Sequence, residues 1–223
     1  MSKLYHFTLD PYCRRIRLAL AEKGIAAQLV DERPWAPSRH VLDLNPSGLL
    51  PVMQDDGGRA ICGIEALGEF LEERGEGQSL LPGNAYARAE VRRLVAWFDV
   101  KFYTEVTEPL LTEKVVKRFM TGAGAPEMAR VRQALQHLKP HLDYVAWLAE
   151  ERSWLGGDEL SLADLAAAAH LSAIDYLGDI NWNENPVAKS WYERIKSRPS
   201  FRVLLTDTVA AMPPAAHYAE LDF

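Results

Sequence analysis

The pattern of the chain changes near residue 80, and this change limits what the chain can fold into. Before it, short apolar runs alternate with single helical segments; after it, the pattern is helical throughout. The stretch GEGQSLLPGNAY between the two parts is rich in glycine and turn-forming residues, which is typical of a linker. We therefore expect a mixed α/β unit at residues 1–74, a linker at 75–84, an all-helical unit at 85–206 and a C-terminal extension at 207–223.

The first unit has the pattern of a βαβ segment followed by a ββα segment. LYHFTL alternates like a short strand, and DPYCRRIRLALAEKG follows as a helix with Asp10 as its N-cap, Pro11 at the first helical position and Gly24 as its stop. AAQLVDE predicts a second strand, and LLPVMQDDGGRAIC predicts two strands joined by an Asp-Asp-Gly-Gly hairpin. GIEALGEFLEER then predicts the last helix of the unit.

The composition argues against several classes of function. The 223 residues carry a net charge of -6, and an acidic chain lacks the basic stripe that nucleic-acid binding needs. The two cysteines, Cys13 and Cys62, have no histidine or acidic partner at metal-ligand spacing, and no glycine-rich phosphate loop occurs, so we expect no metal and no cofactor. The amino terminus has no long apolar run, which favours a cytoplasmic protein without membrane insertion.

The layout and four motifs of the chain resemble the cytosolic glutathione transferases, which join a thioredoxin-like α/β domain to an all-α domain. The motifs are CRRIRLALAEKGI, NPSGLLPVM, SLADLAAAAHL and WYERIKSRPSF. In the third motif, Ser161 and Asp164 predict a reciprocal capping box. The resemblance implies that Pro51 is a cis-proline and that the neighbouring backbone, at Leu50, would bind the cysteinyl group of glutathione.

The resemblance also indicates where a residue that holds glutathione as a thiolate would lie. The position used by the tyrosine-type enzymes is His6 here, and the position used by the serine- or cysteine-type enzymes is Asp10. A carboxylate beside a thiol raises the thiol's pKa, so Asp10 is better explained as a helix cap worth about 1 kcal/mol. His6 stays open, because a neutral imidazole can donate a hydrogen bond and a protonated one can stabilise a thiolate. Cys13, among apolar helix neighbours, is expected to be a buried small hydrophobe.

The turn before the last helix of the first unit lacks polar side chains. In the family that the chain resembles, this turn carries a Glu-Ser or Gln-Ser pair that holds the γ-glutamyl end of glutathione; aligned through LGEFLEE, these positions are Gly63 and Ile64. Two lost hydrogen bonds to charged groups, at about 1.5 to 3 kcal/mol each, weaken binding by roughly two to four orders of magnitude. Backbone amides or another side chain remain alternative ligands. We expect weak or absent glutathione binding and no catalytic residue.

Two surface features are candidate partner-binding sites. The loop ERPWAPSRH holds Trp35 between two prolines, which suits an interface anchor, although packing on its own domain or across a dimer interface is an equal alternative. The chain end intersperses Tyr218, Leu221 and Phe223 with acidic residues such as Asp222, and it predicts either a linear recognition motif or an arm packed on the body. The basic residues of TEKVVKRF are expected to form a solvated face.

These surface features are similar to a branch of the same family that acts in bacterial cell division. That resemblance implies a cytoplasmic homodimer without a transferase role, which is recruited to the division site and binds polymers of the tubulin-like protein FtsZ and other division proteins. It further implies that Trp35 and Asp222 are functional positions. The alternative from a different class is a glutathione-dependent transferase that uses His6 or Cys13.

Overall fold

The computed structural model describes residues 1–120 and 122–221, so the predicted sites Asp222 and Phe223 lie outside the described residues. The first unit follows the predicted order of elements. These are β1 (Lys3–His6), α1 (Pro11–Glu22), β2 (Gln28–Asp31), α2 (Arg39–Leu44), β3 (Val52–Gln54), β4 (Ala60–Cys62) and α3 (Ile64–Glu73). Helix α2 occupies part of the connection that precedes β3, where the sequence predicts a partly helical segment.

The strands form one mixed sheet in the order β2-β1-β3-β4. Strand β1 pairs in parallel with β2 and antiparallel with β3, and Tyr5 lies opposite Val30 on one side and Val52 on the other. Alternate residues of a strand point to opposite faces. Leu4 accordingly belongs to the main core, whereas Tyr5 packs in a smaller cluster with Val41 of α2.

The cap and stop predicted for α1 are confirmed. The side chain of Asp10 accepts a hydrogen bond from the Cys13 amide at 2.8 Å, and Pro11 is the first helical residue. Gly24 follows the helix with a φ of +67°, a left-handed conformation that glycine adopts without steric cost. Together these residues fix where the loop after β1 ends and α1 begins.

Helix α3 ends at Glu73 and α4 begins at Ala85, so residues 74–84 connect the two units. The second unit is helical, as predicted. Its helices are α4 (Ala85–Ala96), α5 (Glu108–Leu111), α6 (Lys117–Phe119), α7 (Met128–Glu151), α8 (Leu162–Tyr176), α9 (Pro186–Lys196) and α10 (Arg202–Leu205), with 3₁₀ turns at Trp182–Glu184 and Pro199–Phe201.

Helices α4, α5 and α6 are parts of one long helix, which we call the long helix. It is interrupted by π-helical stretches at Trp97–Thr107 and Thr112–Val116. The first stretch ends one residue before the turn that contains Pro109. Proline has no amide hydrogen and its ring clashes with the carbonyl one α-turn earlier, so a wider turn before it relieves a conflict that a regular α-helix would meet.

Helix α8 lies at the centre of the second unit, and every one of its residues is buried. The predicted capping box of Ser161 and Asp164 is present at its start, where the Ser161 amide donates to Asp164 Oδ2 at 3.1 Å. Asp164 also accepts from the Leu155 amide at 2.8 Å and from Trp191 Nε1 at 3.2 Å. The cap therefore joins three segments of the unit around the start of α8.

Helix α1 packs against α8, and its arginines join the first unit to the rest of the chain. Arg14 is fully buried and donates to Ser172 Oγ at 2.8 Å and to Tyr218 Oη at 2.9 Å. Asp207 accepts from Arg14 at 3.0 Å and from Arg17 at 2.6 and 2.9 Å. Because these charges are buried and paired, separating the units would leave unpaired ions in the interior.

The C-terminal extension packs on this interface through Tyr218, which has no exposed surface. The Tyr218 hydroxyl donates to the Leu204 carbonyl at 3.1 Å, and its ring meets Tyr176 edge-on at 5.2 Å. A turn is bridged between Val209 and Met212, and Ala211 within it has a φ of +60°. The prediction that Tyr218 binds a partner is therefore wrong, because a ring enclosed in the core cannot reach one.

Within residues 1–120 and 122–221, no helix is both long and apolar enough to cross a membrane. The same ranges contain no group of three or more histidine, cysteine or acidic side chains arranged to hold a metal ion.

Candidate functional site

His6 lies at the end of β1 with its side chain only 4% exposed. Its Nε2 is 3.3 Å from Asp31 Oδ1, and its buried Nδ1 has no hydrogen-bond partner among the described residues. Burial and the nearby charge of Arg17 lower the pKa of His6 to about 4, so the ring is neutral at physiological pH. A neutral, enclosed imidazole supplies no positive charge to a thiolate, which argues against the His6 alternative.

Asp10 and Cys13 occupy the turn that starts α1. Burial raises the pKa of Asp10 to about 6, although its hydrogen bond from the Cys13 amide acts in the opposite direction. Cys13 has no exposed surface, and burial together with the charge of Asp10 raises the pKa of its thiol well above the ordinary value. A reactive cysteine needs the thiolate and access to solvent. The geometry therefore favours a buried structural cysteine, as the sequence predicts.

The backbone just before β3, on the side of β1 away from β2, has the cis-proline that the resemblance implies. The Leu50–Pro51 peptide bond is cis, and the Pro51 carbonyl accepts the Gly63 amide at 3.4 Å. Gly63 is the N-cap of α3, has a φ of +89° and offers no side-chain cap. An L-residue with a side chain is strained at this φ. This local conformation favours glycine and disfavours the glutamate or glutamine that a γ-glutamyl clamp would need.

Ile64 and Glu65 follow in the first turn of α3. The Ile64 side chain is half-buried and packs against the main core, so it has a packing role in place of a polar one. Glu65 is 75% exposed and lies 3.6 Å from Arg15 Nη2. The free amides and the positive dipole end at a helix N-terminus attract negative charge. The carboxylate of Glu65 already lies there, so it competes with any anionic ligand at the start of α3.

A hydroxyl that the sequence analysis did not consider lies in the loop between β1 and α1. Thr8 is half-buried and lines a cleft of about 460 Å³. Its carbonyl accepts from Arg14 Nε at 2.9 Å, which fixes the loop at this point. A sequence signal was present, because Thr8 is the first hydroxyl residue after the end of β1, but it matches neither of the positions that the resemblance uses.

Three aromatic rings line the same cleft, which we call the Trp35 cleft. Trp35 is half-buried; its ring meets Phe7 edge-on at 5.3 Å and lies parallel to Phe119 at 6.4 Å. The turn at residues 208–210 of the C-terminal extension forms another wall. Trp35 thus packs on its own chain, one of the two alternatives, but it keeps a face toward an open cleft. Sequence reasoning identified Trp35 and did not identify Phe7 and Phe119 as its neighbours.

The predicted residues of the chain end do not form one exposed motif. Leu221 is 45% exposed and remains available to a partner, whereas Tyr218 is enclosed four residues after the second proline. His217 is partly exposed and its Nε2 lies 2.9 Å from Asp175 Oδ1, which holds the extension against α8. The structure thus supports a packed arm at residues 217–218.

Comparison with known proteins gives matches along most of the chain. The family model of the glutathione S-transferase N-terminal domain matches residues 11–74, and that of the C-terminal domain matches residues 111–203. FtsZ-localized protein A of Caulobacter vibrioides (strain NA1000 / CB15N) is 45% identical, over 99% of this chain and 97% of that protein.

Solved structures give the same result. A glutathione S-transferase from Rhodospirillum rubrum F11 is 48% identical, with a TM-score of 0.96 over 100% of both chains. FzlA from C. crescentus is 45% identical, with a TM-score of 0.95 over 100% of this chain and 99% of that one. Similarity at this level extends through both units and the extension.

Proposed function

Because this chain belongs to the glutathione S-transferase family, and because its glutathione positions suit that family's chemistry poorly, we propose that it is a binding protein that associates with FtsZ polymers in bacterial cell division. The observation that carries this proposal is the 45% identity, over 99% of the chain, to FtsZ-localized protein A. Under this proposal the protein is a degenerate member of the family with no transferase role.

The residues at the glutathione positions support the loss of catalysis. His6 is neutral and enclosed, the Cys13 thiol has a raised pKa, and Asp10 carries the wrong charge for a thiolate neighbour. Gly63 and Ile64 provide no side-chain donor for a γ-glutamyl group. We therefore propose that glutathione binds no better than about millimolar, which corresponds to roughly 4 kcal/mol of binding free energy.

The Trp35 cleft is the surface that best suits a protein partner. Trp35 is held by Phe7 and Phe119 and flanked by Pro34 and Pro37, so its ring is already ordered before a partner binds. A preordered aromatic loses little conformational entropy on docking, and such anchors commonly contribute about 2 kcal/mol or more to an interface. We propose that FtsZ contacts this cleft and that Leu221, Asp222 and Phe223 add contacts from the chain end.

We further propose a cytoplasmic homodimer that is recruited to the division site. Apolar surface on the long helix and on α7 supports self-association, since Val100 is 64% exposed and Trp147 is 50% exposed. The Trp147 ring stacks on Tyr144 at 5.9 Å, which forms a flat aromatic surface of the kind found at interfaces. Sedimentation velocity of the full chain tests the dimer.

Co-sedimentation with purified FtsZ polymers tests the partner. We expect the wild-type protein to pellet with polymers, Trp35→Ala to bind tens-fold more weakly, and Asp222→Lys to lose function in complementation of a division-defective strain. Tyr86→Ala is the matched control, because Tyr86 is an aromatic that is 88% exposed and lies outside the cleft. Absence of wild-type protein from the polymer pellet would contradict the proposal. Equal binding by Trp35→Ala and Tyr86→Ala would contradict only the choice of surface.

A second candidate function is a glutathione-dependent transferase. The observation that favours it is the half-buried Thr8 hydroxyl on the Trp35 cleft, in a chain 48% identical to a glutathione S-transferase from Rhodospirillum rubrum F11. Glutathione conjugation to an aromatic electrophile, measured for the wild type and for Thr8→Val, separates the two functions. Turnover that is lost in Thr8→Val would establish the enzyme and overturn the binding-protein proposal.

A further inference from the structure

A second cavity, of about 570 Å³, opens between the end of the long helix and the C-terminal extension. We call it the basic pocket. Its lining includes the cations of the long helix, Tyr176 and Leu177 at the end of α8, and the segment at residues 212–215. Phe119 of α6 lines the Trp35 cleft, whereas its neighbours Lys117 and Arg118 line the basic pocket.

The cations of this pocket exceed the carboxylates that face them. Lys114 pairs with Asp179, and Lys117 pairs with Glu113 at 2.6 Å. Glu113 also receives Arg130 at 3.1 Å, but Arg130 pairs with Glu108 as well, so the excess of positive charge in the pocket lies mainly at Arg118. The expectation of an ordinary solvated face is thus wrong for the lysines, whose side chains are only 30% and 22% exposed and line a cavity.

Arg118 is the cation with the most uncompensated charge. Its Nη2 donates to the carbonyl oxygen of Ala211 at 2.6 Å, and among the described residues it forms no ion pair with a carboxylate. This hydrogen bond holds the turn between Val209 and Met212 against α6, where Ala211 keeps a φ of +60°. A non-glycine residue in this region is uncommon and costs about 1 to 2 kcal/mol. The fold therefore maintains a strained turn that keeps an uncompensated guanidinium at the edge of a cavity.

The part of the C-terminal extension that lines the pocket is apolar and rigid. Met212, Pro213 and Pro214 form it, and the prolines restrict the backbone because their rings fix φ near −65°. The cavity volume lies within the about 300 to 1,000 Å³ that is usual for ligand sites. A surface that combines cations with a preordered apolar wall fits a ligand that presents carboxylates beside an apolar group.

We propose that the basic pocket docks an acidic segment of a partner protein, with carboxylates at Arg118 and Lys114 and an apolar side chain against Met212 and Pro214. Charge complementarity carries the choice of occupant. The whole chain has a net charge of -6 and repels acidic peptides at long range, so attraction must come from the local excess of cations in this pocket. The surface goes beyond the proposed FtsZ contact, because Lys117 and Arg118 line the basic pocket whereas Trp35 and Phe119 line the Trp35 cleft.

Fluorescence anisotropy of a labelled peptide with the sequence EELEEL, added to the full-length protein, tests the proposal. The matched probe QQLQQL has the same length and apolar content without the charge. We expect EELEEL to bind at least tenfold more tightly, and its affinity to fall when salt rises from about 0.05 M to about 0.5 M. Equal binding of the two peptides, or no binding of either, would overturn the proposal.

Variants then assign the binding to the pocket. The double variant Lys114→Gln/Arg118→Gln is expected to lose at least tenfold in affinity for EELEEL. The control Arg39→Gln/Lys139→Gln removes the same charge from side chains that are 87% and 65% exposed elsewhere, and it is expected to bind like wild type. Equal loss in both doubles would show that only net charge matters and would overturn the assignment.

Two further measurements keep the result decisive. Lys114→Gln leaves buried Asp179 without its partner and can unfold the chain, so Arg118→Gln alone is measured as well. If this folded variant binds EELEEL with unchanged affinity, the proposal is overturned. Trp35→Ala is expected to keep wild-type affinity for EELEEL. The peptide assay and FtsZ co-sedimentation can therefore fail independently, and each failure points to one proposal.

Discussion

Replacement of Tyr218 tests whether the C-terminal extension is part of the folded body. The ring is fully buried, its hydroxyl accepts from Arg14 and donates to the Leu204 carbonyl, and its edge meets Tyr176. Tyr218→Ala removes this packing and both hydrogen bonds. Tyr218→Phe keeps the ring and removes the bonds alone, so the pair of variants separates the two contributions.

The structure sets the expected magnitudes. Truncation of a buried aromatic to alanine costs about 3 to 5 kcal/mol, and a lost hydrogen bond that leaves a buried partner costs about 1 to 3 kcal/mol. For Tyr218→Phe we expect a loss of about 1 to 2 kcal/mol, because Arg14 keeps Ser172 and Asp207 as acceptors. For Tyr218→Ala we expect about 4 to 6 kcal/mol, which lowers Tm by roughly 8 to 24 °C in a chain of this size.

Urea unfolding followed by circular dichroism, together with thermal melts, measures both changes. Leu221→Ala is the matched control on the same segment, since Leu221 is 45% exposed and its loss should change the free energy of unfolding by less than about 0.5 kcal/mol. If Tyr218→Ala unfolds within about 1 kcal/mol of wild type, while partner binding is lost, the extension is a recognition motif and the packed-arm interpretation is wrong.

Three other predictions concern the start of α1 and α3. Asp10→Asn keeps an acceptor for the Cys13 amide but removes a carboxylate whose folded-state pKa is raised to about 6. The charge of this carboxylate destabilises the fold fully above about pH 6 and not at all below about pH 4, so in pH-dependent melts the variant should gain about 1 to 3 kcal/mol of unfolding free energy at pH 7.5 and nothing at pH 4. Ile64→Ser should tighten glutathione binding about tenfold in calorimetry, whereas Gly63→Glu should chiefly lower Tm because the backbone at position 63 has a φ of +89°. If the serine does not tighten binding, the missing clamp is not what limits the affinity for glutathione. Cys13 should react with iodoacetamide far more slowly in the native protein than in urea, and faster reaction in the native state would restore the thiol enzyme as a candidate.

Most of the fold could be predicted because its signals are local. The N-cap at Asp10, the capping box at Ser161 and Asp164, and the change from alternating to helical pattern each lie within a few residues of sequence. The buried arginines could not be predicted in this way. Arg14 and Arg17 look like solvated charges until Asp207 is brought to them, and that contact joins residues far apart in the chain.

The candidate site was predictable only in part, because some of its features are local in the sequence and others depend on tertiary contacts. The absence of polar side chains at Gly63 and Ile64 is visible in the sequence, but the positive φ that favours glycine there is a property of the folded turn. Trp35 could be selected from its flanking prolines, whereas its neighbour Phe119 comes from the far end of the long helix. The sequence makes Tyr218 a candidate partner residue, because an aromatic near a chain end looks exposed when no tertiary contact is known.

The contacts of Asp207 bear on when the protein can finish folding during its synthesis. Domains of larger proteins usually fold in order from the amino terminus as they leave the ribosome. Here the first unit contains two buried guanidinium groups whose shared carboxylate, at position 207, is translated 193 and 190 residues after Arg14 and Arg17. The α/β unit therefore has no complete set of partners until Asp207 emerges, and we expect its final packing to follow the synthesis of the helical unit and not to precede it.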